Sequence, residues 1–173
     1  MKTGVDVMIS DKSEIIQPSL VNIGNHVSID SWVYISTQAT IGDYVHIAPH
    51  ASIIGGKFAK IRMDNFSNIS SGVKIIVVSD DFTKGMLNPI VPLKHRNLIG
   101  GTTWLRRFTA IGVNSVVMPN VDMAEGSVLG ANSLLMENTE PWGIYVGSPA
   151  RKIGIRDKTS ILQSAKELGY EQV

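Results

Sequence analysis

Residues 23–47 read IGNHVSIDSWVYISTQATIGDYVHI, and an isoleucine returns at every sixth position: Ile23, Ile29, Ile35, Ile41, Ile47. Working outward, the beat reaches Ile53, resumes at Met63, Ile69 and Ile75, and resumes again at Leu105, Ile111, Val117, Met123, Leu129 and Leu135. Four residues after most of these stands a small or β-branched residue, such as Val27, Ala39, Ala51, Val73, Thr109, Ser115 or Ser133. Six residues cannot form a stable helix, so each unit is a short strand plus a turn, with two side chains pointing inward. Three units, eighteen residues, close one triangular coil. Stacked coils pair as parallel strands about 4.8 Å apart and bury their apolar side chains only against neighbouring coils. The expected fold is all-β: a prism of about five coils over residues 20–153, within a domain spanning 1–155. Ser67 and Met63 depart from the inward pattern without breaking the period.

Composition narrows the function. The chain has 173 residues, a formal net charge of +1 and no cysteine. There is no basic run for nucleic acid, no apolar stretch of membrane-spanning length and no thiolate for catalysis or zinc, and no secretory leader is expected. A cytoplasmic protein is the expectation. Residues 156–173 differ from the repeats: from Asp157 to Leu168, Ile161, Leu162, Ala165 and Leu168 fall on one helical face. Asp157, Thr159 or Ser160 suits the cap and Gly169 the stop. This helix is expected to cover an end or a flank of the prism.

Two insertions interrupt the beat. One surrounds Gly55-Gly56-Lys57; the other runs over residues 79–102 and carries Ser79-Asp80-Asp81-Phe82 and Asn88-Pro89-Ile90-Val91-Pro92. Long loops in compact repeats are commonly functional. The apolar content of this one predicts that it folds over a neighbouring surface.

The period resembles the hexapeptide-repeat acyltransferases, whose fold is a left-handed parallel β-helix; handedness follows from the resemblance, not from the spacing. Gly147-Ser148-Pro149-Ala150-Arg151-Lys152, just after the last coil, is similar to the run that marks acetyl-CoA-dependent sugar acetyltransferases of this family. By that resemblance Pro149, Arg151 and Lys152 lie at the nucleotide end of the co-substrate. The layout is similar to the galactoside and maltose acetyltransferases, which implies that Val113 and Ala131, eighteen residues apart, flank the pantetheine arm. It also implies a homotrimer with sites between subunits.

The catalytic histidine of that subgroup sits where this chain has Asp80. Of the four histidines, His50 is the candidate general base, because a neutral imidazole titrates near working pH and His50 shares an edge with Val113 and Ala131. His26, His46 and His95 read as surface residues. Asp80 is the second catalytic candidate, orienting His50 or holding the acceptor; Asp81, Asn68, Ser70 and Asn88 are candidate acceptor contacts. Trp32, Trp104 and Trp142 read as edge or interface packing.

The expected activity is acetyl-CoA-dependent acetylation of a sugar, leaning toward N-acetylation of a nucleotide-linked amino sugar in surface polysaccharide synthesis. The alternatives are a galactoside-type O-acetyltransferase and an inactive scaffold. A carbonic anhydrase of this fold needs three converging histidines, which the spacing does not provide. No metal is expected.

Overall fold

The computed structural model describes residues 1–170. Three walls of short parallel strands form a triangular prism. The first wall stacks Val7–Ile9, Val27–Ile29, His46–Ile47, Asn68–Ile69, Ala110–Ile111, Val128–Leu129 and Gly143–Gly147. The second runs from Glu14–Ile15 through residues 34–35, 52–54, 74–76 and 116–117 to Leu134–Leu135. The third runs from Lys2–Thr3 through 21–23, 39–41, 60–63 and 102–105 to Asp122–Met123.

The first wall has seven parallel rungs, so the expectation of about five coils is corrected to about seven. Two irregular coils hid the difference. Ile9 pairs with Ile29, twenty residues on, because the 3-10 turn Pro18–Leu20 adds two residues to the first coil. At the other end Leu129 pairs with Tyr145, sixteen residues on, so the last coil is short. The regular coils keep the eighteen-residue step, as in Ile29 with Ile47 and Ile111 with Leu129.

The hexad isoleucines form the core. Ile29, Ile47, Ile53, Ile69, Ile75 and Ile111 are fully buried, each contributing about 1.5–3 kcal/mol of transfer free energy. The small inward positions line the corners, where Thr109 donates to the Arg106 carbonyl (2.8 Å) and Ser115 to that of Gly130 (2.7 Å). Ser67, fully buried, belongs to this set rather than interrupting it.

A corner needs one residue with positive φ, and the chain places one on almost every coil. On the first edge, before the first wall, these residues are Asp6, His26, Tyr44, Phe66, Phe108, Gly126 and Trp142. Their rings stack: His26 on Tyr44 (4.6 Å between centroids), Tyr44 on Phe66 and Phe66 on Phe108 (5.2 Å each), Phe108 on Trp142 (6.0 Å). Gly126, the corner between Phe108 and Trp142, carries no ring, because a Cβ there would sit 2.2 Å from the Trp142 ring. The C-terminal helix, Thr159–Glu167, lies along this flank and not over an end. Ala165, Ile161 and Leu162 pack against the rings. Asp157 accepts from the Thr159 N–H at 3.0 Å, and Gly169 ends the helix with φ +86°. Tyr170 meets Tyr44 and Phe66 edge-on and donates to Asp43 at 2.7 Å.

Candidate functional site

The second edge joins the first wall to the second. Its positive-φ corners, in ascending order, are Trp32, His50, Gly72, Asn114 and Asn132. Corner amides tie each coil to the one below: His50 N–H to Ser31 O (3.2 Å), Gly72 to Pro49 O (3.0 Å), Asn114 to Ser71 O (3.0 Å) and Asn132 to Val113 O (2.9 Å). His50 therefore shares an edge with Val113 and Ala131, which stand two and three coils above it. Both are exposed, and among the described residues their N–H groups have no protein partner. Ser70, half-buried, begins the corner above His50. Lys74 donates to the carbonyls of His50 (3.2 Å) and Gly72 (3.0 Å), fixing the backbone there. At the top of the same edge the Gly147 N–H donates to Ser133 Oγ at 3.0 Å. This seats the turn of the hairpin Gly143–Gly147 and Ala150–Ile155, and hence Pro149 and Arg151, above Asn132. Lys152 is turned to Glu140, and that hydrogen-bonded carboxylate raises its pKa.

The long insertion leaves the third edge, between the second and third walls. It is an antiparallel arm in which Val78–Asp80 pairs with Leu98–Gly100. Asp80 is held in a two-pronged ion pair by Arg96, Nε to Oδ1 at 2.9 Å and Nη2 to Oδ2 at 3.0 Å. Nothing in the sequence spacing marks Arg96; only the pairing of Asp80 with Leu98 brings it there. The arm and the Gly55-Gly56 insertion enclose a cavity of about 360 Å³, lined by Ile54, Phe58, Asp80, Leu93, Arg96 and Leu98 among others. The two interruptions of the repeat thus meet. Asp81 instead closes its own turn. Hydrogen bonds from the Thr83 hydroxyl and N–H, with help from Asn97 and Lys84, hold its carboxyl below the ordinary range.

The remaining candidates separate. Asn88 accepts from the Ile90 N–H at 3.0 Å and shapes the arm. Asn68 points from the first wall into a pocket beneath the C-terminal helix, with Phe66, Phe108 and Ile161. It is remote from the arm. Asp80 does not orient His50 within one chain, because the second wall lies between their edges. Only the base of the arm packs on its own body, around that cavity; its outer part does not, with Phe82, Met86, Leu87 and Ile90 all more than half exposed. Trp142 packs under the helix. Trp104 is clamped between the guanidiniums of Arg62 and Arg106, 4.1 and 3.8 Å from its ring.

The profile of bacterial transferase hexapeptide repeats matches residues 21–55. An Escherichia coli dTDP-4-amino-4,6-dideoxy-D-glucose acyltransferase is 38% identical over 160 residues, covering 90% of this chain and 82% of that protein. The chain belongs to the hexapeptide-repeat acyltransferases. Among solved members, the N-acyltransferase AntD from Bacillus cereus, in complex with dTDP and 3-hydroxybutyryl-CoA, superposes with a TM-score of 0.92. It is 36% identical over 96% of this chain and 89% of its own. A hexapeptide-repeat acetyltransferase from Vibrio cholerae, 16% identical with a TM-score of 0.60 over 90% of this chain and 74% of its own, shares the fold. Like its family, the chain is an acyl-CoA-dependent acyltransferase. Among the described residues no helix is long and apolar enough to cross a membrane.

Proposed function

We propose that this acyltransferase moves an acyl group from acyl-CoA to the amino nitrogen of a dTDP-linked 4-amino-4,6-dideoxyhexose, giving an amide for surface polysaccharide assembly in the cytoplasm. The observation that carries this reading is near-full-length similarity to AntD, whose structures include one with dTDP-4-amino-4,6-dideoxyglucose and coenzyme A. The second edge suits the carrier: free amides at Val113 and Ala131 face a pantetheine arm, and Arg151 is a charge partner for the phosphorylated nucleotide end.

AntD has been solved with substitutions at one aspartate and at a serine ten positions before it. In this chain only Asp80 and Asp81 have a serine ten positions earlier, Ser70 and Ser71. Asp80 faces the cavity whereas Asp81 is spent on its turn, which favours the Ser70 and Asp80 pair. These two stand on different edges, as do Asp80 and His50. A left-handed solenoid closed into a threefold ring unites them, the arm of one copy against the second edge of the next. The exposed apolar side chains of the arm fit that packing.

The chemistry then balances. Asp80 binds the sugar ammonium and takes one proton to solvent. The neutral amine attacks the thioester carbon, with an edge amide donating to the developing oxyanion. The C–S bond breaks as the nitrogen's second proton passes through His50 to the departing sulfur. Thiol release from acetyl-CoA on adding dTDP-4-amino-4,6-dideoxyglucose tests this. Release with simple glycosides but not with nucleotide-linked amino sugars would overturn it.

A further inference from the structure

Wherever a corner demands positive φ, glycine and asparagine adopt it most readily. On the second edge the three upper corners follow that rule, with Gly72, Asn114 and Asn132. The two lower ones, Trp32 (φ +65°) and His50 (φ +62°), carry large rings. On the first edge the large rings stack on one another, and Phe66, Phe108 and Trp142 also pack under the helix. Among the described residues no element closes over Trp32, which is 58% exposed. Its ring lies parallel to the His50 imidazole, 5° between planes and 6.4 Å between centroids. The Lys12 ammonium stands 5.9 Å from its centroid.

We infer that Trp32 is the platform on which the acceptor's nucleobase stacks, with Lys12 beside it as a charge partner for the diphosphate. The inference rests on the reading above and follows from direction along the edge. The acyl carrier occupies the C-terminal part, from Arg151 down past Ala131 and Val113. The acceptor must therefore reach the thioester from the N-terminal side. There Trp32 is the exposed aromatic surface on this edge, one coil below His50 and two below the Ser70 corner, a distance of about 10 Å. A hexose with its diphosphate bridges a gap of that order and delivers a flat base to the indole. Stacking on an exposed indole beside a cation is sequence-tolerant and strong enough to anchor one base.

Calorimetric titration of dTDP into the CoA-saturated protein tests this, with Trp32→Gly as the main variant. Glycine relieves the positive-φ strain, so the variant should fold at least as stably as the parent. Expected is a loss of dTDP affinity of about tenfold or more, with CoA affinity and subunit number unchanged, and with Trp32→Phe restoring most of the loss. Unchanged dTDP affinity in Trp32→Gly would overturn the platform alone. Dissociation of the assembly in that variant would also overturn it, making the ring an interface contact. Absence of dTDP binding by the parent protein, with CoA binding intact, would overturn the nucleotide-sugar reading and this inference with it.

Discussion

The first and second edges have the same backbone and opposite fates. Both are ladders of left-handed corners, one per coil, and both carry aromatic side chains. On the first edge the rings stack continuously from His26 to Trp142, and a helix closes over Phe66, Phe108 and Trp142. On the second the ladder stays open, bulky only at Trp32 and His50, with bare amides at Val113 and Ala131. A solenoid corner is thus a neutral device: what covers it decides whether it stabilises the prism or holds a ligand.

If that contrast is right, changes on the closed edge should cost stability and spare turnover, while changes on the open edge and the arm should do the reverse. The largest effect is expected at Phe108, buried between Phe66 and Trp142. Phe108→Ala should lower unfolding free energy by about 3–5 kcal/mol, read by urea titration, with turnover per folded molecule near the parent's. Asp80→Asn removes one partner of the Arg96 ion pair, so it should loosen the arm while costing the prism less than Phe108→Ala, and cut turnover about a hundredfold or more. His50→Ala should cut it on a similar scale without weakening CoA binding.

Two glycines sharpen the comparison. At Gly126 a new Cβ meets the fixed Trp142 ring at 2.2 Å, whereas at Gly72 it meets only the swinging amide of Asn114 at 2.2 Å. Both alanine variants bear left-handed strain of about 1–2 kcal/mol. Gly126→Ala should add about 1–3 kcal/mol for the displaced ring, and equal costs would mean that the aromatic column is soft.

The smallest effect concerns Tyr170, whose hydrogen bond to Asp43, aided by burial, pushes its pKa up to about 12. For Asp43, burial acts upward but is outweighed by bonds from Asn25 and Tyr170, leaving its pKa lowered. The raised phenol contributes stability that is intact below pH about 10 and lost as pH rises toward about 12. The depressed Asp43 carboxyl contributes stability above its ordinary pKa of 3.8 that is lost on acidification below it. Tyr170→Phe should cost about 1 kcal/mol at neutral pH and flatten the alkaline loss, measured by melting between pH 8 and about 12.

Much of this was legible in the six-residue beat, which fixes the walls, the core isoleucines and the shared edge of His50, Val113 and Ala131. The first and last coils were not legible, because the Pro18–Leu20 turn and the short final coil shift the phase by two residues each. The stacked rings are not legible in the repeat, because they fall at corner positions, outside the inward pattern. The Asp80–Arg96 pair depends on an antiparallel arm that no periodicity announces. Asn68 shows the opposite error: its position on a wall was legible, but not that a helix starting twelve residues after the last strand of that wall would lie over it.

The central claim is tested most directly by following thiol release and product mass with acetyl-CoA and dTDP-4-amino-4,6-dideoxyglucose. The account predicts stoichiometric thiol and an amide product, both suppressed about a hundredfold or more in Asp80→Asn. Full activity in that variant, or no transfer to the sugar nitrogen by the parent protein, would contradict it.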